Sequence, residues 1–170
     1  MYADDIKIYR VANNDEDKEL IQSEIDSICE WALANKMILN KDKCEVMHFT
    51  YKRSWGKSKY IADGTYIKEN SFIKDLGVLI DNKLSFQQHI INVVKSANKI
   101  LSFVIRLGHH FQNNCTLVLL FNGLVRSKLE YASVIWNTSC ASYVECIEKV
   151  QKRFLRYLYF RDWIVPALVA

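Results

Sequence analysis

The spacing of apolar residues predicts short strands in the first part of the chain and helices in the second. Residues 6–11 alternate apolar and polar side chains, and residues 45–50 include β-branched and aromatic types, which predicts a strand in each segment. Between residues 16 and 35 the apolar positions recur every three or four residues, as in a helix with one buried face. Two further segments, residues 61–67 and 72–80, are also expected to form short strands.

Three amphipathic helices are predicted after residue 81. Their apolar positions fall at helical spacing within residues 90–105, 117–124 and 144–158. Gly108 is expected to end the first of these helices, because glycine is common directly after a helix. Strands followed by helices predict an α+β protein.

Composition and charge agree with this division. Half of the 170 residues are hydrophobic, one is proline and five are glycine, which favours a helical protein with a core over a disordered or loop-rich chain. The pattern changes near residues 81–86, so we predict two parts, residues 1–85 and 86–170. The first carries 13 basic and 15 acidic residues and the second 10 and 4. An acidic part suits cations and a basic part suits phosphates, although many other soluble proteins show such an asymmetry.

No segment predicts a membrane span or a secretory signal. The longest apolar run, residues 116–124, is far shorter than the roughly 20 residues of a membrane span. No basic and apolar leader follows Met1, so we expect an intracellular protein, nuclear or cytoplasmic, that is not secreted. The five scattered cysteines contain no C-x-x-C pair, and we expect most of them to be core residues.

Two adjacent aspartates, Asp4 and Asp5, directly precede the predicted strand at residues 6–11. Their charges repel, so such a pair on a turn is most favourable when a cation lies between the carboxylates. Carboxylate oxygens suit Mg²⁺, and phosphoryl or nucleotidyl transfer uses two such ions. Taken alone, the four letters Tyr-Ala-Asp-Asp fit an ordinary acidic turn better than a metal site.

Two basic clusters are candidate phosphate-binding sites. In the third predicted helix, one face opposite the apolar positions carries Lys149, Lys152, Arg153 and Arg156. Such a face can bind phosphates without reading sequence, but many basic helix faces are only solvated. In residues 51–60 aromatic and basic side chains are interleaved, which predicts a loop that stacks on bases and binds phosphates. Its members are Tyr51, Lys52, Arg53, Trp55, Lys57, Lys59 and Tyr60.

Five blocks of the sequence together resemble a known family. Residues 1–6 (MYADDI) look like the catalytic motif of reverse transcriptases, in the alanine form of non-LTR retrotransposons and group II introns. Residues 31–49 (WALANKMILNKDKCEVMHF) and 72–86 (FIKDLGVLIDNKLSF) are similar to the next palm helix and strand and to the primer-grip hairpin. Residues 131–136 (YASVIW) and 147–154 (IEKVQKRF) resemble the thumb region of jockey-type insect elements. The blocks occur in the family's order and cover nearly the whole chain.

The resemblance implies a partial reverse-transcriptase palm, made of short antiparallel strands and a helix, followed by an α-helical thumb. Asp4 and Asp5 would be catalytic carboxylates that bind Mg²⁺ in a two-metal site, with Asp4 as the principal ligand. Tyr2 would lie near the primer terminus. The implied reaction is nucleotidyl transfer, in which a primer 3′-hydroxyl attacks the α-phosphate of a deoxynucleotide.

The resemblance also assigns roles to four residues further along the chain. Lys43 would steady or protonate the departing pyrophosphate, although its position equally suits a solvated surface lysine. Leu76, Gly77 and Val78 would form the primer grip, where Gly77 lets the backbone approach nucleic acid closely. The alternative for this segment is an ordinary glycine turn or bulge.

In the family, another metal-binding aspartate lies on an earlier palm strand, and the fingers bind the template and the incoming nucleotide. Neither falls within these 170 residues, so we expect an incomplete metal site and no polymerase activity from the chain alone. The expected partners of the complete polymerase are an RNA template, a DNA primer and deoxynucleotides. The alternative function is a non-catalytic retroelement remnant that binds nucleic acid weakly.

Overall fold

The computed structural model describes residues 5–51, 58–137 and 140–167, with side chains described through residue 161. The chain divides into two compact units, residues 1–73 and 74–170. Helices dominate and the strands are short, which confirms the predicted α+β class.

One long helix, α1 (Asp15–Ala34), organises the first unit. The Asn14 side chain accepts a hydrogen bond from the Asp17 backbone N–H at 2.8 Å, and the Asp17 carboxylate accepts one from the Asn14 backbone N–H at 3.3 Å. This reciprocal capping box, with acidic residues in the first turn, explains why the helix begins here. The helix buries Ile25 and Ala32, which confirms the predicted helix with one buried face.

The strands of the first unit are only two residues long and pair in two separate ladders. In chain order they are β1 (Glu45–Val46), β2 (Ile61–Ala62), β3 (Thr65–Tyr66) and β4 (Lys68–Glu69). β2 and β3 form an antiparallel hairpin, whereas β1 and β4 run parallel. The expectation of antiparallel pairing is therefore wrong for β1, because its partner is the strand after the hairpin and not a sequence neighbour.

A glutamine of α1 holds the β2–β3 hairpin in place. The Ile61 backbone N–H donates to Gln22 Oε1 at 2.9 Å, and Gln22 Nε2 donates to the Ile61 carbonyl at 2.8 Å. Directly beside these bonds, Ile25 packs with Tyr60 and Ala62 in the core of the unit. Helix and hairpin are thus fixed by both polar and apolar contacts.

Residues 6–11 do not form the predicted strand. Asp5 takes part in a single β-bridge, and no ladder continues through residues 6–13. Alternating side chains give a stable strand only where a neighbouring backbone accepts its hydrogen bonds. Arg10 of this segment instead forms an ion pair with Glu24 of α1.

A hairpin and a series of helices follow. The elements are β5 (Phe72–Asp75), β6 (Val78–Asp81), α2 (Gln87–Leu107), α3 (Asn114–Leu120), α4 (Ser127–Glu130), α5 (Ser133–Trp136) and α6 (Ala141–Ala167). A π-helical segment, Phe121–Arg126, joins α3 to α4 without a break. The three predicted helices are confirmed, while α5 is too short to show a helical period in the sequence. None of the described helices is long and apolar enough to cross a membrane.

The core of the second unit lies where α2, the α3–α4 segment and α6 meet. The side chains of Leu101, Leu117, Val125 and Val150 are fully buried there. Gly108 follows α2 as predicted, and the Tyr157 side chain fills the space that a Cβ at Gly108 would take.

The strand β6 belongs to the helical unit because it packs on α2. Val78 is buried together with Ile90 of α2 and Trp136 of α5. The compact units consequently divide at residues 73–74, before the change of sequence pattern near residues 81–86. Hydrophobic spacing predicts whether a segment is a helix or a strand. The boundary between the compact units depends instead on which elements pack against each other.

Most of the cysteines are not core residues, contrary to expectation, although Cys29 packs against the core of the first unit. Cys115, Cys140 and Cys146 are exposed, Cys29 and Cys44 are partly buried, and none of the five forms a disulfide. Cys115, Cys140 and Cys146 lie in or beside helices on faces that turn away from the core, so their apolar character did not determine their burial.

Candidate nucleic-acid interface

The predicted catalytic residues are described only in part. Asp5 is exposed, and Lys43 is exposed at the end of a 3₁₀ turn in which its backbone N–H donates to the Asn40 carbonyl at 3.1 Å. Across the described ranges, no three His, Cys, Asp or Glu residues are grouped as metal ligands. Six residues of the predicted sites lie outside the described residues: Tyr2, Asp4, Lys52, Arg53, Trp55 and Lys57.

The predicted primer grip forms the tip of the β5–β6 hairpin. Two residues connect the strands, Leu76 with φ of +43° and Gly77 with φ of +87°. Positive φ at both central residues is the mark of a type I′ turn, whose first position normally holds asparagine, aspartate or glycine. A leucine in this conformation is strained, since its Cβ crowds the backbone. Leu76 is half-exposed, whereas Val78 is buried.

Tyr131, at the start of the first thumb-like block (residues 131–136), holds this turn. Its hydroxyl donates to the Leu76 carbonyl at 2.8 Å. Its ring lies against Gly77, where a Cβ would come within 3.4 Å of Tyr131 Cε1. Any other residue at Gly77 would adopt an unfavourable φ, and its Cβ would come into contact with the tyrosine ring.

Trp136 and His89 connect Tyr131 to β6, the second strand of the same hairpin. Trp136 Nε1 donates to the Tyr131 carbonyl at 2.8 Å, and the Trp136 ring meets the His89 ring edge to face at 5.4 Å. The Leu79 backbone N–H donates to His89 Nδ1 at 3.2 Å. Burial lowers the pKa of His89 below its ordinary 6.5, so the neutral form that accepts this bond is favoured.

The carboxylate of Asp81 shapes the connection from β6 to α2. It accepts hydrogen bonds from the Phe86 backbone N–H at 2.7 Å and from the Lys83 backbone N–H at 3.3 Å. Burial raises the pKa of Asp81, but the hydrogen bonds from Ser85, Phe86 and Lys83 outweigh burial and leave that pKa below its ordinary value. This anionic turn fixes where α2 begins relative to the hairpin.

The basic face of α6 is exposed, as predicted, but its members differ in their contacts. Lys149 pairs with Glu145 at 3.2 Å on the same helix. Arg153 donates to Asn98 Oδ1 at 3.2 Å and to Ser102 Oγ at 3.1 Å, both on α2. Arg153 thus links the two helices, and the exposed side chains of Lys152 and Arg156 flank it along α6.

A second basic face lies on α2 beside this link. At 100° per residue, Lys95, Lys99 and Arg106 share a face with Asn98 and Ser102, the partners of Arg153. All three side chains are exposed, and α2 contains no acidic residue. We call the combined set the two-helix basic surface; it consists of Lys95, Lys99, Arg106, Lys149, Lys152, Arg153 and Arg156.

Comparison with known proteins shows two relatives. The chain is 25% identical over 170 residues to the "Probable RNA-directed DNA polymerase from transposon X-element" of Drosophila melanogaster. It is 23% identical over 147 residues to the "RNA-directed DNA polymerase from mobile element jockey" of the same organism. The resemblance to jockey-like reverse transcriptases is confirmed. The alignments cover 96% and 84% of this chain but only 18% and 16% of the relatives' length. No protein-family profile and no solved structure matches the chain.

In this jockey-like chain, two of the blocks that carry the resemblance meet in space. The block at residues 72–86 supplies the hairpin, and the block at residues 131–136 supplies Tyr131 and Trp136, which hold it. The two blocks are about 50 residues apart in the sequence, and only the fold brings them together.

The jockey-like sequence contained a further signal that sequence analysis missed. Lys95, Lys99 and Arg106 lie four and seven residues apart, which is the spacing of one helix face.

The expectation that Tyr60 stacks on nucleic-acid bases is wrong. Tyr60 is only 4% exposed and belongs to the core of the first unit. Because the Tyr60 ring packs against its apolar neighbours, it is not accessible to a base.

Proposed function

We propose that this chain is the segment of an RNA-directed DNA polymerase that carries the Tyr-Ala-Asp-Asp loop, the primer-grip hairpin and the helical thumb. The names of the two relatives support the polymerase family, and the order of the five blocks supports the assignment of palm and thumb. The chain spans less than a fifth of either relative, so the activity belongs to a longer protein of this kind.

The catalytic loop contributes Asp4 and Asp5. Adjacent carboxylates offer only oxygen ligands, and Asp5 is exposed, so their donor chemistry fits Mg²⁺. Bound metal ions would activate the primer 3′-hydroxyl and neutralise charge on the transferred phosphate. Lys43, also exposed, would offer a cation to the departing pyrophosphate.

The nucleic acid itself is proposed to bind to the second unit. The two-helix basic surface would contact phosphates of the primer–template duplex, which gives affinity without sequence preference. The hairpin tip at Leu76 and Gly77 would meet the end of the primer. This surface is the observation that carries the binding part of the proposal, because it places seven cationic side chains on two packed helices.

The chain on its own is expected to bind a primer–template without extending it. The alternative function, a retroelement remnant that only binds nucleic acid, rests on the same basic surface. The two functions differ in whether Asp4 and Asp5 serve a reaction when the remaining parts of a polymerase are supplied.

Binding is tested by the affinity of the 170-residue chain for an RNA–DNA hybrid as a function of salt. We expect affinity to fall steeply with salt, and the Lys152→Ala/Arg156→Ala variant to lower the log–log slope by nearly two. The matched control, Lys68→Ala/Lys128→Ala, removes the same charge from exposed positions outside the surface and should keep the slope. Undetectable binding at low salt, or equal losses in both variants, would contradict this proposal.

A further inference from the structure

Two neighbouring aromatic side chains of α6, Tyr159 and Phe160, are exposed; we call them the aromatic pair. Tyr159 is 60% exposed and Phe160 is 57% exposed. At 100° per residue, both point to a different side of α6 from Phe154 and Leu158, which pack in the core of the second unit. The core therefore does not account for either ring, and an exposed apolar cluster of this kind can mark an interaction site.

The two rings of the aromatic pair lie in a defined arrangement. Their centroids are 5.7 Å apart and their planes are inclined by 76°, which is an edge-to-face contact. Side chains that are already ordered lose little conformational freedom when a ligand packs on them. The pair is therefore suited to stack on a planar ligand.

Cations lie beside the aromatic pair on the same helix. Phe160 shares the side of α6 that carries Arg153 and Arg156, and Tyr159 lies on the side of Lys152. Residues 149–161 include no acidic residue. The centre of a protein–protein interface is usually depleted in charged residues, so these neighbours favour a polyanion over a protein surface.

The aromatic pair lies at one end of the two-helix basic surface. Arg153 donates to Ser102 of α2, and one turn later along α6 the Tyr157 side chain packs on Gly108. The two helices therefore run in the same direction. Because α2 ends at Leu107, the aromatic pair lies beyond the end of its basic face. A strand whose phosphates follow the basic surface would reach the pair at that end.

We propose that the aromatic pair stacks on unpaired bases of a single strand whose phosphates bind the adjoining cations of the two-helix basic surface. This proposal rests on the proposed function and names the form of nucleic acid that this end of the surface recognises. Bases inside a duplex are covered by their neighbours, whereas an unpaired segment offers base faces along its length. Every base has an aromatic face, so this stacking tolerates any sequence.

The test uses one RNA–DNA hybrid in three forms. The first has flush ends, the second has unpaired deoxynucleotides added to both ends of the DNA strand, and the third has abasic extensions of the same length. Abasic extensions keep the phosphates but lack the bases, so the difference in affinity between the two extended forms measures stacking. The unsubstituted chain should bind the form with bases about ten-fold more tightly, the order expected when one base stacks on an aromatic ring.

Substitution of the aromatic pair should remove this difference. Tyr159→Ala/Phe160→Ala should bind both extended forms equally and keep the flush-end affinity and its salt slope, because it removes no charge. Phe160→Tyr keeps a ring and should retain the difference, whereas Phe160→Leu keeps only apolar bulk and should lower it. The matched control, Phe49→Ala/Tyr66→Ala, removes one exposed phenylalanine and one exposed tyrosine from the first unit and should change nothing.

Three results would overturn the inference and leave the binding proposal standing. One is a difference that survives in Tyr159→Ala/Phe160→Ala. Another is equal binding of both extended forms by the unsubstituted chain, which would favour a protein partner for the aromatic pair. The third is a loss of flush-end affinity in that variant as large as its loss with the extended form, which would assign the pair to the terminal base pair. No binding of any form would instead remove the proposed function, and this inference with it.

Discussion

The ring of Phe121 lies flat on the ring of Phe154, with centroids 4.2 Å apart and planes within 2° of parallel. Phe121 begins the π-helical segment, and Phe154 lies midway along α6, on the side opposite the basic face. The stack therefore joins the α3–α4 segment to the helix that carries four of the seven residues of the two-helix basic surface. Stability of this core and presentation of the basic residues are consequently linked.

Removal of the Phe154 ring should loosen the helical unit. Phe154→Ala is expected to lower the free energy of opening of α2 and α6 by about 3–5 kcal/mol, because a buried aromatic ring leaves a cavity. Hydrogen exchange of the α2 and α6 amides measures this quantity. Leu155→Ala, at the exposed neighbouring position, is the control and should stay within about 0.5 kcal/mol. Similar effects of the two substitutions would show that the stack does not hold the unit together.

Substitutions of Arg153 and Lys152 should distinguish a residue of the basic surface that also stabilises the fold from one that serves binding alone. Arg153→Ala removes the hydrogen bonds to Asn98 and Ser102, so it should lower the free energy of opening of α2 and α6 by about 1 kcal/mol. Lys152→Ala should leave that free energy nearly unchanged. Both variants should lower the salt slope of hybrid binding by about one, since each removes one proposed phosphate contact. An Arg153→Ala variant with full stability would contradict the link between the helices.

His89 should make the stability of the second unit depend on pH. Its pKa is lowered in the folded state by burial, so the unfolded chain binds a proton more readily. The free energy of unfolding is therefore highest above pH 6.5, the ordinary pKa of histidine. It decreases as the pH falls from there through the lowered pKa of His89 in the folded state.

Chemical denaturation across this pH range measures the slope of the free energy of unfolding against pH. His89→Asn retains a side-chain acceptor for the Leu79 amide but cannot titrate, and should flatten the slope just below pH 6.5. The exposed His109→Asn is the matched control and should keep it. A slope that survives in His89→Asn would assign the dependence to other groups.

The helices were predictable because their apolar spacing extends over many turns. In α1 the start was readable too, since Asn14 and Asp17 stand at the positions of a capping box. Strands of two residues were not predictable in this way. β1 pairs with β4 across an intervening hairpin, and nothing in residues 45–50 specifies that partner.

For the candidate nucleic-acid interface too, contacts between distant segments could not be predicted from the sequence. The type I′ turn could be located from Gly77, but the contact of Leu76 with Tyr131 spans 55 residues and depends on how β6 packs on α2. The basic face of α2 was readable from its spacing, whereas its proximity to α6, seen in the contact of Arg153 with Asn98, depends on the core in which the two helices pack. Local chemistry can be predicted from one segment, and convergence of segments requires the packed core.

We propose above all that this chain forms the catalytic-loop and thumb segment of an RNA-directed DNA polymerase. The most direct measurement is primer extension on an RNA template by the jockey element polymerase in which residues 1–170 replace the matching segment. We predict extension by the exchanged protein and its loss in the Asp4→Asn variant, because Asp4 is the proposed principal metal ligand. Extension that is equal with and without Asp4→Asn would contradict the account, as would an exchanged protein that folds and binds primer–template but extends nothing.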